Sequence, residues 1–206
     1  MQKTKKNMQI KEMVLLAVLT AIIIFMTLTG LAYIPINPVL KLTLLTIPVA
    51  VGAVLLGIKG GIFLGAVFGL TSFFTCFSID ALGVILLSIN PVTTFITCVV
   101  PRILCGLIPA LLYKWIKPKQ VAVPVACVAT ALINTLLFLS FLWIFFANDF
   151  LTNTELVQLM GGTTINSFTA LFMAFAGLNA VLEAVSSLVI GSAVCAAGLK
   201  VWNRND

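Results

Sequence analysis

A single arginine in an apolar stretch is the residue of this chain with the most distinctive chemistry. Twenty-one uncharged residues separate Arg102 from Asp80, and eleven separate it from Lys114. A charged side chain in membrane hydrocarbon costs at least about 2.5 kcal/mol unless a partner or water compensates it. We therefore interpret Arg102 as part of a functional site that faces the protein interior and binds a group of opposite charge.

Three further polar residues are expected at nearly the depth of Arg102. Counted from the outer helix ends at 1.5 Å per residue, Arg102 lies roughly 16 Å down its helix, and Asn134 and Asn179 roughly 20 Å down theirs. Glu183 follows Asn179 by four residues on the same helix face, so it is a candidate ion-pair partner for Arg102. We expect a pocket in which Arg102 holds an anionic group and the asparagines bind amides or hydroxyls. The alternative is a helix-packing network without a ligand.

Residues near the outward connections complete the set of candidate ligand-binding residues, namely Tyr33, Asn90 and Asn166. For Tyr33 the alternative role is anchoring at the membrane interface, where tyrosine is common.

Composition identifies the kind of protein that carries these residues. Hydrophobic residues make up 61% of the chain and charged residues 9%, whereas soluble domains have about 25% charged residues. Uncharged runs of more than twenty residues lie after Glu12, Gln120 and Glu155, long enough to cross about 30 Å of hydrocarbon. The chain is therefore predicted to be an integral membrane protein.

The apolar segments predict one membrane domain over residues 1–206, an all-α bundle of six transmembrane helices. The helices are expected at about 11–29, 42–56, 60–77, 91–116, 121–147 and 166–201. One side of this bundle receives most basic residues, namely those of the N-terminus, Lys59, Lys114, Lys117, Lys119, Lys200 and Arg204. The other side receives Asp80, Asp149 and Glu155, with Lys41 as its basic residue. Because positive charge marks the cytoplasmic side, both termini are expected there.

The three outer connections look like lids rather than ordinary polar loops. The first contains Pro35 and Pro38, which disfavour a regular helix. The second, Ala81–Ile89, is apolar but too short to span. The third, residues 148–165, contains the flexible pair Gly161 and Gly162. We expect these segments to cover a cavity, because irregular apolar backbone near membrane depth is tolerated there; the alternative is that they lie on the bilayer surface.

Small residues at four-residue spacing predict close helix contacts. Gly61, Gly65 and Gly69 give the third helix a flat stripe, which we expect to pack inside the bundle. Ala17 and Ala21 give the first helix a similar stripe. It is a candidate docking surface, with packing inside the chain as the alternative.

Three motifs occur together in this chain: Ala17-x-x-x-Ala21, IP-x-x-x-G-x-x-L-x-G at Ile47–Gly57, and PRIL-x-G at Pro101–Gly106. With six apolar helices in about 200 residues, they resemble the S components of energy-coupling factor (ECF) vitamin transporters. The segment Asn90–Tyr113 is similar to the fourth-helix signature of the branch that includes pantothenate carriers.

The resemblance implies a substrate-capture subunit of an ECF-type ABC importer. Such a subunit docks on a transmembrane coupling protein and two cytosolic ATPases, with the stripe of Ala17 and Ala21 facing the coupling protein. We expect the vitamin to be pantothenate, whose single carboxylate suits Arg102 and whose amide and hydroxyls suit Asn134 and Asn179. Another vitamin (riboflavin, folate or cobalamin) is the alternative, although the loop after Lys41 lacks the acidic and serine residues expected of riboflavin carriers.

Several functions lack their sequence signatures. The chain has no P-loop and no histidine, so we expect no cofactor or metal in it and ATP to be used by partner subunits. The five cysteines form no Cys-x-x-Cys pair and are predicted to be small core residues. The basic residues are too scattered to indicate nucleic-acid binding.

Two other classes of protein are alternatives to a vitamin carrier. An intramembrane enzyme could use Asp80, Glu183 or a cysteine, but the sequence has no recognisable nucleophile and base, so we expect no enzyme. A small transporter driven by a gradient alone could couple through Arg102 and Glu183, but convincing inverted repeats are missing. The expected location is the plasma membrane of a bacterium, with multiple spans.

Overall fold

The computed structural model describes residues 2–31, 33–35, 41–159, 162, 164–175 and 177–203. The long helices are α1 (Gln2–Leu28), α3 (Gly57–Thr75), α5 (Pro91–Trp115) and α6 (Lys119–Phe146). Shorter helices are α2 (Thr46–Leu55), α4 (Ala81–Ile89), α7 (Asp149–Thr152), α8 (Thr154–Leu159) and α9 (Phe168–Phe175). The chain continues through α10 (Gly177–Ser186), a π-helical turn (Ser187–Gly191) and α11 (Ser192–Asn203).

Five of the described helical segments are long and apolar enough to cross a membrane. They are Ile10–Leu28 within α1, α3, α5, α6, and Asn179–Val201, which runs through the π-helical turn. The predicted helical membrane bundle is therefore confirmed. Pro38, Gly161 and Arg204, which the sequence analysis named, lie outside the described residues.

The second predicted helix is shorter than the sequence indicated. Instead of running over 42–56, it begins at Thr46, because residues 41–43 form a strand. This strand, β2 (Lys41–Thr43), pairs antiparallel with β1 (Tyr33–Pro35), with Tyr33 opposite Thr43. The sixth predicted helix, 166–201, begins at Phe168 and contains the π-helical turn after α10.

The second outer connection folds as a helix and not as an irregular lid. Asp80 caps α4 by accepting a hydrogen bond from the Gly83 backbone N–H at 2.9 Å. Asn90 ends α4 and caps α5, where Pro91 occupies the first turn, a position that tolerates its missing N–H. The side chain of Asn90 accepts hydrogen bonds from the backbone N–H groups of Val92 and Thr93 at 3.0 and 3.2 Å.

Two apolar clusters fill the bundle at its opposite ends. The first, called here the α2 core, consists of Leu19, Ile23, Leu45, Val49, Ala50, Val51, Val54, Leu64, Phe68, Val123, Ala126, Cys127 and Cys195. The second, the α8 core, consists of Leu86, Leu139, Leu142, Phe146, Phe150, Leu156, Ile165 and Leu171. On α6, residues 123–127 belong to the first cluster and residues 139–146 to the second, so the residues between them lie between the cores.

The glycine stripe of α3 packs inside the bundle, as the sequence predicted. A Cβ added to Gly61 would overlap the carbonyl oxygen of Gly106, and one added to Gly65 would overlap the carbonyl oxygen of Arg102. Helices α3 and α5 therefore touch through backbone atoms. In contrast, Ala17 and Ala21 on α1 are exposed, so the described chain does not cover their stripe.

Candidate ligand-binding site

A cavity of about 150 Å³ lies between the two cores, where α3, α4, α5, α6 and α10 meet. A buried water needs about 10–15 Å³ of such volume, so the cavity has room for a small molecule. Two of the outer connections contribute to its wall, through Leu82 of α4 and Leu159 of α8, and Thr43 of strand β2 also lines it. The cavity is therefore bounded by the bundle and by two of the segments that the sequence indicated as lids.

Four of the predicted site residues meet in this cavity. Arg102 on α5, Asn134 on α6, and Asn179 and Glu183 on α10 all line it, and all four are buried. They come from three different helices, as expected from their similar depths. The structure thus brings together the charged and amide groups that the sequence selected.

The hydrogen bond and the ring contacts of Arg102 are all with neutral groups. Its Nη1 donates a hydrogen bond to the Thr97 carbonyl oxygen at 2.9 Å. Its guanidinium carbon lies 4.3 Å from the ring centroid of Phe138 and 5.6 Å from that of Phe68, which gives favourable cation–π contacts. Within the described part of the chain, Arg102 forms no ion pair.

The sequence explains why the Thr97 carbonyl is available. In an α-helix this oxygen would accept from the N–H of the residue four positions later, which is Pro101. Proline has no N–H, so the carbonyl is left for another donor. The next residue, Arg102, supplies that donor. The Pro101–Arg102 pair was therefore a readable signal for Thr97, which the sequence analysis did not name.

Glu183 binds neutral groups instead of Arg102. Its Oε1 accepts a hydrogen bond from the Thr43 backbone N–H at 2.9 Å, and its Oε2 accepts one from Thr135 Oγ1 at 3.0 Å. The ion pair considered for Glu183 and Arg102 does not form among the described residues. The reason is geometric: strand β2 and α6 present donors to this carboxylate, so it joins the hairpin to the bundle.

Some buried polar atoms at the cavity have no hydrogen-bond partner in the portion of the chain that the structure describes. Among them are Arg102 Nε, Thr97 Oγ1 and Asn134 Oδ1. Buried polar groups in folded proteins are nearly always satisfied by protein or water, so each such atom needs an explanation. A ligand with an anionic end and a neighbouring N–H or hydroxyl would satisfy this combination of donors and acceptors.

The remaining candidates lie elsewhere. Asn90 is exposed and caps α5, and Asn166 is exposed before α9; neither lines the cavity. Tyr33 lies in β1 opposite Thr43, but its side chain is outside the described part of the structure. Sequence reasoning also missed Thr43 and Thr135. Thr43 contributes its backbone N–H, which no residue type signals, and threonine is too common in membrane helices for Thr135 to stand out.

Comparison with known proteins gives one family and two relatives. A model of the family described as "ECF transporter, substrate-specific component" matches residues 11–194. The pantothenic acid transporter PanT of Lactococcus lactis subsp. cremoris (strain MG1363) is 28% identical over 211 residues, covering 97% of this chain and 100% of that protein. The pantothenate transporter PanT of Leuconostoc mesenteroides subsp. mesenteroides is 34% identical over 119 residues, covering 55% of this chain and 56% of that protein.

Proposed function

We propose that this chain, which belongs to the family of ECF transporter substrate-specific components, binds pantothenate in the cavity at Arg102. It is a multi-pass protein of the bacterial plasma membrane and a transport protein, not an enzyme. Both relatives described above are named for pantothenate. The observation that carries the proposal is a buried arginine that faces a cavity and forms no ion pair among the described residues.

The groups of pantothenate match those of the cavity. Its single carboxylate would pair with the Arg102 guanidinium, which has N–H donors beyond the one used by Thr97. Its amide N–H would donate to Asn134 Oδ1, an acceptor without a described partner. Its two hydroxyls would face Asn179 and the Glu183 carboxylate, which retains acceptor capacity beyond Thr43 and Thr135.

Other vitamins fit this set of groups less well. Riboflavin has no carboxylate to meet Arg102, and cobalamin is many times larger than pantothenate. Folate has two carboxylates, whereas Arg102 is the one arginine among the described residues that line the cavity. Pantothenate is the candidate with one negative charge and several neutral polar groups.

The test compares two ligands and two proteins. Pantothenol has the structure of pantothenate with an alcohol in place of the carboxylate. We expect Arg102→Gln to weaken pantothenate binding by about 2–5 kcal/mol, or roughly 30-fold to several thousand-fold, because a buried charge pair loses one partner. Pantothenol affinity should change far less. Isothermal titration of purified protein measures both.

The pattern of losses separates the possible outcomes. Equal weakening of both ligands would indicate damage to the fold and contradict a specific pairing of Arg102 with the carboxylate. Unchanged pantothenate affinity in the variant, or no pantothenate binding by the parent protein, would overturn the proposal.

We further propose six spans with both termini in the cytoplasm. Helix α2 rises about 15 Å over its ten residues, and strand β2 adds about 10 Å, which together approach the hydrocarbon thickness. Lys59, Lys114 and Lys200 then share the cytoplasmic side, as the positive-inside rule expects. Cysteine accessibility labelling at Asn203 and Asn166 tests this, since the two positions should lie on opposite sides.

We also propose that the partners are a transmembrane coupling protein and two cytosolic ATPases, which would use the ATP. The exposed alanines of α1, Ala17 and Ala21, lie four residues apart on one face and allow close approach of another helix. Replacing both by leucine should reduce co-purification with these subunits while leaving pantothenate affinity within about twofold. Ala193→Leu, at an exposed position of α11, is the matched control. Full association of the double variant would exclude this docking surface.

A further inference from the structure

Two thiols touch in the wall of the cavity. Cys76 Sγ, directly after α3, lies 3.8 Å from Cys98 Sγ on α5. Both residues line the cavity, and both are free cysteines. The sulfur atoms of a disulfide are about 2.05 Å apart, so the two sulfur atoms would have to approach each other by less than about 2 Å to form a bond. From the sequence, these residues are predicted only to be small core groups.

A second pair of thiols has nearly the same sulfur–sulfur separation but does not line the cavity. Cys127 Sγ on α6 and Cys195 Sγ on α11 are 3.7 Å apart, which is the same proximity. Both are fully buried in the α2 core, and neither lines the cavity. The two pairs therefore differ in their access to a molecule in the cavity rather than in the separation of their sulfur atoms.

The cavity thiols also lie close to the arginine that we assign to the ligand. Cys98 precedes Arg102 by four residues, so both side chains lie on the same face of α5. A covalent bond from Cys98 to Cys76 would tie this face to the end of α3. A ligand held at Arg102 would in turn lie over the thiols.

We propose that Cys76 and Cys98 form an oxidisable dithiol within the ligand cavity, which a small thiol oxidant closes to a disulfide and which bound ligand protects. The probe is the diazene diamide. The two thiols lose their S–H bonds, one S–S bond forms, and two electrons and two protons pass to the N=N group to give a hydrazine. The identity of the protecting ligand rests on the proposed function; the dithiol itself does not.

The experiment treats purified full-length protein with diamide, with and without pantothenate, and counts free thiols after denaturation. We expect the count to fall from five to three, with a Cys76–Cys98 crosslink identified by peptide mass spectrometry. Saturating pantothenate should slow the formation of the Cys76–Cys98 disulfide at least tenfold. The oxidised protein should bind pantothenate at least tenfold more weakly, and dithiothreitol should restore binding.

Single variants give the controls. In Cys76→Ser and in Cys98→Ser, the pantothenate affinity of each variant should be the same before and after diamide. In Cys127→Ser, the Cys76–Cys98 crosslink should still form. Equal oxidation rates for the two pairs, or no crosslink at Cys76 and Cys98, would overturn the proposal.

The oxidation and binding measurements can contradict the dithiol and the pantothenate site separately. A protein that forms the crosslink but binds no pantothenate would support the dithiol and contradict pantothenate as the ligand. A protein that binds pantothenate, but whose oxidation at Cys76 and Cys98 is not slowed by it, would contradict the placement of the dithiol in the ligand cavity alone.

Discussion

The two faces of helix α5 have opposite characters. On the face toward α3, Gly106 and the backbone of Arg102 touch glycines so closely that no side chain fits between the helices. On the adjoining face, Thr97, Cys98 and the Arg102 side chain line a cavity. Arg102 thus belongs to both faces, with its backbone in the packed contact and its guanidinium in the cavity.

The contrast between the two faces indicates how a membrane bundle can hold a buried charge in place. Apolar side chains give no driving force between helices in lipid, so close packing of small residues has to fix the helix positions. The contact of Gly65 with the Arg102 carbonyl oxygen fixes the backbone of the arginine. The contacts with Thr97 and Phe138 then fix its side chain. The packed face of α5 therefore holds rigid the face that lines the cavity.

The largest effect is expected from a substitution that separates the two helices. Gly65→Ala should lower the free energy of unfolding by about 1–3 kcal/mol, and Gly65→Val by about 3 kcal/mol or more, because added atoms meet the α5 backbone. Pantothenate affinity should fall in parallel, since Arg102 moves with α5. Thermal unfolding in detergent and titration calorimetry measure the two effects.

Ala193→Val adds bulk at an exposed position of α11 and is the control for this series. It should leave the melting temperature and the affinity nearly unchanged. If Gly65→Val bound pantothenate as tightly as the parent, the contact between α3 and α5 would not determine the position of Arg102 in the cavity.

A smaller effect, mainly on pantothenate affinity, is expected from substitution of Glu183. Glu183→Ala removes the acceptor of the Thr43 N–H and the Thr135 hydroxyl. Each hydrogen bond to a charged group is worth about 1.5–3 kcal/mol, so we expect about a tenfold or greater loss of pantothenate affinity. Glu183→Gln keeps an oxygen acceptor and should lose less.

Thr135→Val provides a second measurement of the same interaction, because it removes only the hydroxyl donor. Its loss of affinity should lie below that of Glu183→Ala. An alanine variant of Glu183 with full affinity would show that the hairpin does not depend on this carboxylate.

The smallest effects are expected at the candidates outside the cavity. Asn90→Ala removes the cap of α5 and should cost about 0.5–2 kcal/mol of stability, with less than a twofold change in pantothenate affinity. Asn166→Ala, at an exposed position, should change neither quantity measurably. A tenfold loss of affinity in either variant would extend the binding site beyond the described cavity.

Local patterns in the sequence predicted much of this arrangement. Helical rise and the uncharged runs predicted the long helices, and four-residue spacing predicted the contact of Gly65 with a neighbouring helix. Depth counting selected Arg102, Asn134 and Asn179, and the four-residue spacing from Asn179 added Glu183. All four line one cavity. Depth is readable because a helix advances by a constant rise per residue.

Contacts between distant segments were not readable in this way. The short length of α2 follows from the pairing of strand β2 with strand β1, which takes up residues 41–43. The candidates Asn90 and Asn166 were named for their place in outer connections, and that place does not determine where a side chain points. The partner of Glu183 depends on a residue 140 positions away.

The amino-acid sequence by itself determined that this protein lies in a membrane, which helices are long, and that one charge must be buried among them, because these properties depend on composition and on a fixed rise per residue. The tertiary structure alone decided what each buried polar group meets. Arg102 meets a carbonyl freed by Pro101 and two aromatic rings, while Glu183 meets the hairpin and α6. The physical reason is that hydrogen bonds act over about 3 Å and depend on direction, so the rotation and packing of whole helices select each partner.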